Sequence, residues 1–324
     1  MRAIQIDRFG DPDVMHLADV PLGAPGPGEV LVRHRACGIN YIDTYHRTGL
    51  YPLPLPAVLG TEGSGIVEAV GEGVTHLAVG DRVAYAARTP GSYAEARVLP
   101  AFPVVKLPDS IDFETGAAMM LKGLTVQYLL RRTRVELAPG DLILWHAAAG
   151  GVGLIACQWA RALGIRLIGT AGTDEKCKLA EQNGAAYVIN YSREDVVARV
   201  REITGGKGVS VVYDAVGKDT WDRSLDCLAP LGLMVSFGNA SGPVPPVSLG
   251  VLSQKGSLYV QRPTLGTYLS TREASQAMAD ELFAMVTSGK VKIPVERRYA
   301  LADARSAHRD LEARITTGSG VLLP

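Results

Sequence analysis

The spacing of hydrophobic positions changes rhythm near residue 141. Before it, short Val/Ile-rich runs ("EVLVRHRA", "SGIVEAV", "DRVAYAA", "EARVLP") are punctuated by Gly and Pro, which predicts a compact β domain. Gly60, Gly63, Gly65, Gly71, Gly73 and Gly80 crowd one segment, as sharp turns between barrel strands demand. Residues 112–132 then turn helical, with "FETGAAMM" followed by "GLTVQYLLRR". From Asp141 onward, "LILWHA", "RLIGTA", "YVINY", "VSVVYDAVG" and "LMVSFG" are apolar throughout and alternate with helical segments at 151–163, 174–183, 194–204 and 220–228. Strands without a polar face predict a sheet covered on both sides. The βαβ alternation makes that sheet parallel, right-handed and doubly wound, so the fold class is α/β. A helix around 272–288 and another near 303–314 lead into a terminal strand, "GVLLP", which could return to the first domain.

Composition narrows the class without changing this plan. The 324 residues allow two ordinary domains, and 47% hydrophobic with 20% charged residues is globular usage. Lys plus Arg equals Asp plus Glu at 33 each, so net charge draws the surface towards neither nucleic acid nor anionic lipid. Cys37, Cys157, Cys177 and Cys227 form no C-x-x-C pair, which argues against a disulfide framework and suits a reducing cytoplasm. "MRAIQIDRFG" carries charge at once and reads as no secretion signal. Leu142 to Ala160 lacks Asp, Glu, Lys and Arg, but its glycines suit a strand–turn–helix rather than a membrane span.

That stretch holds the main chemical signal, "WHAAAGGVGLIACQWARALG", aligned as Ala148-x-Gly150-x-x-Gly153 between a strand and a helix. Gly150, with Gly151 and Val152 beside it, lets backbone approach a pyrophosphate, and Gly153 lets helix and strand pack closely. The helix N-terminus supplies free N–H groups and partial positive charge. A structural turn is the bland alternative, and the repeated βα units favour a dinucleotide. About 20 residues on, an NAD enzyme places an acid on the ribose. Here the strand ends "IGTAGT", small and neutral through Gly172 and Thr173, while Asp174 and Glu175 read as first-turn residues of a helix capped by Thr173. Lys176 opposes the dipole of that same turn, and Tyr191 ends the third strand at the same edge. The reading is NADPH, with Lys176 on the 2′-phosphate; the competing one is a solvated lysine.

"LGTEGSGIVEAVGEGV…VGDRV" joined to "HAAAGGVG" resembles the medium-chain dehydrogenase/reductase superfamily, and within it the NADPH-dependent quinone oxidoreductases of the zeta-crystallin-like branch. The resemblance covers essentially the whole chain, including "YDAVG", "LMVSFGNASG" and "GSGVLLP". It implies a GroES-like β-rich catalytic domain (1–124 and 266–324), a Rossmann NADPH-binding domain (125–265), a cleft between them, and a homodimer. Zinc-dependent relatives in this superfamily carry a ligand Cys and a His-Glu pair where this chain reads Cys37-Gly38-Ile39-Asn40 and Gly60-Thr61-Glu62. Asn40 and Thr61 are poor zinc ligands, the structural-zinc lobe is missing, and the six histidines show no paired ligand spacing, so no metal is expected. Cys37 with His34 as a thiolate pair is disfavoured, since strand residues three apart face opposite ways. Without zinc to stabilise an alkoxide, an electron-poor acceptor, a quinone, is the expected substrate.

By the same resemblance Asn40, Tyr45 and Tyr51, in "INYIDTYHRTGLYPLP", line the nicotinamide and substrate; loop packing is the alternative. Thr125, read as a helix start in "KGLTVQY", matches a position near the nicotinamide. Val216 and Gly217, then Phe237, Gly238 and Asn239, lie at strand carboxyl ends where such sheets bind ligands. Arg314 matches an arginine that reaches the cofactor phosphates; His46 and His146 are read as structural. Three other functions stay in play: an NADPH-dependent alkenal/enone reductase, a zinc alcohol dehydrogenase, which Asn40 and Thr61 oppose, and a non-catalytic NADPH- or RNA-binding regulator. The balanced charge weighs against nucleic acid. Both one-electron and two-electron reduction fit the resemblance.

Overall fold

The alternating runs of the first hundred residues form two antiparallel systems in the computed structural model, which describes residues 1–313 and 315–324. The strands are β1 (Arg2–Ile6), β2 (His16–Asp19), β3 (Glu29–Gly38), β4 (Ala57–Val58), β5 (Glu62–Val70), β6 (Arg82–Ala86), β7 (Ala96–Pro100) and β8 (Val104–Lys106). Helix α1 (Tyr41–Thr48) lies inside this region and α2 (Phe113–Arg131) follows it. The small sheet has the order β2-β1-β4. The long strand β3 organises the larger one: β5 pairs along one edge, and β7 takes the first half of the other.

Two readings of this region need correction. The "INYIDTYHRT" stretch is a helix rather than a loop, started by the reciprocal cap between Asn40 and Asp43 and closed by Gly49 at φ 82°. Thr125 sits well inside α2 rather than at its start. The misleading residue is Gly123, which is there for packing: a Cβ would lie 2.5 Å from Leu282 Cδ1.

The apolar runs after residue 141 become β9 (Leu142–Trp145), β10 (Arg166–Ala171), β11 (Tyr187–Asn190), β12 (Val209–Asp214) and β13 (Leu228–Ser236), separated by α3 (Gly151–Ala162), α4 (Asp174–Gln182), α5 (Val196–Ile203) and α6 (Trp221–Asp226). The short helix α7 (Gly250–Gln254) precedes a sixth strand, β14 (Tyr259–Gln261), whose half-exposed edge position hid it from the hydrophobic pattern. All pairings are parallel, in the order β11-β10-β9-β12-β13-β14. This is the doubly wound Rossmann order, with its switch point between β9 and β12. On one face Leu144, Ile168, Ile189, Val212 and Met234 pack beneath Val196, Val200, Trp221 and Leu225. Each such side chain taken from water stabilises the sheet by about 1.5–3 kcal/mol.

The chain ends with α8 (Leu265–Tyr268), α9 (Arg272–Thr287), β15 (Val295–Ala300), α10 (Ala304–Glu312) and β16 (Ser319–Leu323). Strand β16 pairs with Cys37 and Gly38 of β3, so the C-terminus does rejoin the first sheet. Two units result: Met1–Leu124 with Leu265–Ser288 and Ile293–Pro324, and Thr125–Thr264 with Gly289–Lys292. Residues 289–292 join the second unit through Gln158, whose side chain bonds both the carbonyl and the N–H of Lys292. Among the described residues no helix is long and apolar enough to cross a membrane.

Helix α10 is tied into the first unit by a buried polar chain. Arg47, 1% exposed, donates two bonds to Glu312 (2.6 and 3.0 Å) and one to His308 Nδ1 (3.0 Å). An arginine only donates, so His308 Nδ1 accepts and its proton sits on Nε2, towards the Tyr93 hydroxyl at 3.2 Å. Burial, with Arg47 alongside, lowers the His308 pKa to about 3. The folded state then refuses a proton that the unfolded chain takes up below about pH 6.5, so this residue costs stability as pH falls from 6.5 towards 3. His308→Gln keeps an acceptor and a donor but cannot titrate. In urea unfolding it should flatten the loss of stability between pH 6 and 4 by up to about 1.4 kcal/mol per pH unit. An unchanged slope would refute a buried neutral imidazole.

Candidate functional site

The nucleotide turn lies at the carboxyl end of β9, beside the switch point. Its left-handed residue is Ala147, at φ 57°, one place before the alanine that stands for the first motif glycine. Ala148 is fully buried against Gly169, so that position carries packing rather than turn strain. Gly153 does what the motif assigns to it: a Cβ there would lie 2.5–2.6 Å from the Ala147 and Ala148 backbone. Gly150 is the exposed N-cap of α3, with neither a capping side chain nor an acid in the first turn. The N–H groups of the first turn, through Gly151, Val152 and Gly153, are therefore left for an anion. A dinucleotide pyrophosphate fits this cradle.

At the carboxyl end of β10, Gly172, Thr173, Lys176 and Tyr191 come together. Thr173 caps α4 through the Lys176 N–H, placing Lys176 in the first turn as the sequence implied. Tyr191 leans over Gly172, where a Cβ would lie 2.6 Å from its hydroxyl, and Ser192 Oγ donates to the Gly172 carbonyl at 2.8 Å. Of the two acids that count against an NADPH reading, Asp174 and Glu175, Asp174 is already engaged, accepting from Asn190 Nδ2 at 2.8 Å and pairing with Arg193. Arg193 was missed because nothing in sequence links it to Asp174.

At the carboxyl ends of β12 and β13 the organiser is another missed residue, the fully buried Asp214. Its Oδ1 accepts the N–H groups of Val216 (2.7 Å) and Gly217 (3.0 Å), and Oδ2 accepts the hydroxyls of Thr220 and Ser224. Ser224 in turn meets His146, which Thr170 also holds, so His146 is structural as read. The Val216 and Gly217 amides thus shape the turn rather than point free at a ligand. A Cβ on Gly238 would lie 2.5 Å from the Ala215 carbonyl, the Phe237 ring sits tilted with its centroid 5.6 Å from that of Trp145, and Asn239 follows in the same loop. Arg314 lies outside the described residues.

In the first unit Asn40 is the N-cap of α1, Tyr45 lies within that helix, and Tyr51 follows its end. The Tyr45 and Tyr51 rings meet edge-on at 5.2 Å, and Tyr45 is mostly buried while Tyr51 stays partly open. His46 is buried beside Tyr51, and burial lowers its pKa to about 4. Asn40 has a fixed setting. Its Nδ2 donates to Glu62 Oε2 at 2.7 Å and its N–H to Asp43 Oδ2 at 2.9 Å. Asp43 also accepts from Tyr93 (2.9 Å) and from Thr61 Oγ (3.2 Å). Burial raises its carboxyl to about 7 against those bonds and the field of Lys122. Glu62, fully buried, is likewise raised by burial, opposed by Lys122 at 3.8 Å. Asp43 and Lys122 carried no sequence signal as site residues: charged residues in an apolar stretch show their role only when their partners are known.

These donors do not fit a zinc centre. Asn40 and Thr61 already give their side-chain hydrogens to buried carboxylates. Cys37 is held as a thiol, pushed to about 12 by burial. The expectation that His34 and Cys37 face opposite ways fails, since the pairing of β3 with β5 shifts register between His34 and Ala36 and both side chains reach the Ala94 carbonyl. They are nonetheless no thiolate pair, since burial also lowers the His34 pKa to about 4. Among the described residues no group of three or more His, Cys, Asp or Glu is arranged around a metal position.

Residues 26–109 match the alcohol dehydrogenase GroES-like domain, and residues 151–284 the zinc-binding dehydrogenase domain. A quinone oxidoreductase of Pseudomonas aeruginosa is 60% identical over 100% of this chain and 99% of its own. The crystal structure of Escherichia coli quinone oxidoreductase complexed with NADPH is 53% identical, covers 100% of both chains and superposes with a TM-score of 0.98. A 2-haloacrylate reductase of Burkholderia is 44% identical over 99% of this chain and 98% of its own. On this identity, spread along its whole length, the chain belongs to the quinone oxidoreductase family, built from a GroES-like domain and a Rossmann nucleotide-binding domain.

Proposed function

We propose that this chain is an NADPH:quinone oxidoreductase that works without a metal. The observation that carries the reading is the commitment of Asn40 and Thr61 to Glu62 and Asp43, at the two positions where zinc-dependent relatives carry metal ligands. With no ligand set to lower the pKa of an alcohol, the natural substrate class is an acceptor that is already electron-poor. When bound, NADPH supplies the reducing equivalents from its nicotinamide. The chain's own residues do the rest. The α3 N-terminus and the Gly150–Gly153 turn bind the pyrophosphate, and Lys176 and Tyr191 select the 2′-phosphate. Val216, Phe237, Gly238 and Asn239 border the strand ends, with Thr125 and Arg314 as further cofactor contacts. Asn40 orients the acceptor, and Tyr45 and Tyr51 wall it off from water.

The 2-haloacrylate reductase relative favours a second reading, reduction of an electron-poor double bond on the same scaffold. NADPH oxidation by chelator-treated enzyme separates the two. A benzoquinone-type acceptor should turn over well above the acceptor-free control and above an alkenal, with no loss after chelation. An alkenal preference would favour the second reading. Stoichiometric zinc with loss on chelation would overturn the metal-free one.

Lys176→Ala should raise the NADPH dissociation constant by about 10–100-fold, the worth of one charge-assisted bond, and leave NADH binding unchanged. Fluorescence titration reads both. Equal affinities for the two nucleotides in the unaltered protein would remove the assignment.

We infer a cytoplasmic homodimer, since the thiols are free and Cys37, Cys157 and Cys227 are buried. The support for a dimer is β14, the last strand of its sheet, with Tyr259 (40%) and Val260 (41%) exposed along it. Val260→Lys should convert the dimer to monomer in analytical ultracentrifugation. An unaltered protein that sediments as a monomer would dismiss this surface.

A further inference from the structure

Asn40 is held from two elements, by Glu62 of β5 directly and by Lys122 of α2 through the Ile39 carbonyl, and neither hold is needed merely to form β3 or α1. Lys122 Nζ donates to the carbonyl of Ile39, the residue before Asn40, at 3.0 Å. Glu62 Oε1 accepts the Leu121 N–H at 2.8 Å, while its Oε2 takes Asn40 Nδ2 at 2.7 Å. Leu121 lies mid-helix, so the backbone of α2 as well as Asn40 holds this carboxylate. The fit is close: a Cβ on Gly38 would lie 2.2 Å from both Glu62 Oε2 and the Ala117 carbonyl. Burying an acid and a lysine, 0% and 6% exposed, costs several kcal/mol per ion before pairing. A well-packed apolar pair would serve stability as well, which points to a positional purpose.

We propose that Glu62 and Lys122 are positioning residues that hold the Asn40 amide in one orientation. A carboxylate with Lys122 beside it only accepts, so the nitrogen of Asn40 must face Glu62, and a flipped amide would set oxygen against oxygen. The Asn40 backbone is pinned through Ile39 and Asp43 at the same time. Chain rotation and amide flip are both blocked, which preorganises the edge that Asn40 turns to its ligand. The inference rests on Asn40 meeting the acceptor or nicotinamide in the proposed function.

A double-mutant cycle on the full-length enzyme with NADPH and a benzoquinone-type acceptor tests it. In Glu62→Gln, the side chain cannot accept from both Leu121 and Asn40, so the Asn40 amide loses its fixed orientation. Asn40→Ala and Glu62→Gln should each lower kcat/KM about tenfold, and the double variant should fall within twofold of Asn40→Ala alone. Multiplied losses would mean that Glu62 acts elsewhere, and a silent Glu62→Gln beside an impaired Asn40→Ala would overturn positioning alone. A silent Asn40→Ala would instead remove the site assignment and this inference with it. Lys122→Met, run through the same cycle, replaces Glu62→Gln if that variant does not fold, with the same non-additive result expected.

Discussion

A carboxylate without water must be surrounded by hydrogen-bond donors or give up its charge, and each unit of this protein is arranged around meeting that demand. Glu62 and Asp43 in the first unit, and Asp214 in the second, lie wholly inside, each at or beside a strand end. Several of their donors are backbone amides and hydroxyls of the adjoining turns: Val216, Gly217 and Thr220 for Asp214, Asn40 and Thr61 for Asp43. Satisfying the acid and shaping the turn are therefore one act. Asp214 determines the path from Val216 to Thr220 by taking two amides and a hydroxyl, and Asp43 determines how α1 leaves β3.

The two units use opposite electrostatic strategies. In the second, the α3 terminus keeps its amides uncapped, so partial positive charge is available to an incoming anion. Neighbouring helices show the alternative: Thr173 caps α4 and Asp195 caps α5. In the first unit the buried Glu62 is paired with Lys122 and the buried Arg47 with Glu312, while His34, His46 and His308 are kept neutral by burial.

Family membership also clarifies which departures from the dehydrogenase pattern matter. Losing a Cys and a His from a metal site would normally strand the acids around it. Here Asn40 and Thr61 give those acids hydrogen bonds, Asn40 to Glu62 and Thr61 to Asp43, so the acids are held in a hydrogen-bonded framework. Ala148 is a milder departure: the turn bends at Ala147, and a methyl at 148 fits against Gly169.

Periodicity was enough for the parallel sheet, the α/β class and the longer helices after residue 141, because a strand buried on both faces must be apolar throughout; the strand order and the short helices α7 and α8 came only with the structure. The glycine turn was legible too, since its neighbours in space are its neighbours in sequence. Helix α1 was not: its eight residues include five buried ones, among them Asp43, His46 and Arg47, so no apolar stripe marks it. The thin strand β14 and the place of Thr125 inside α2 were hidden for related reasons, one by exposure and the other by a glycine kept for Leu282. The partners of Asn40 lay furthest from view. Glu62 and Lys122 stand 22 and 82 positions away along the chain, and a buried charge shows its purpose only through the groups that neutralise it, which folding alone brings together.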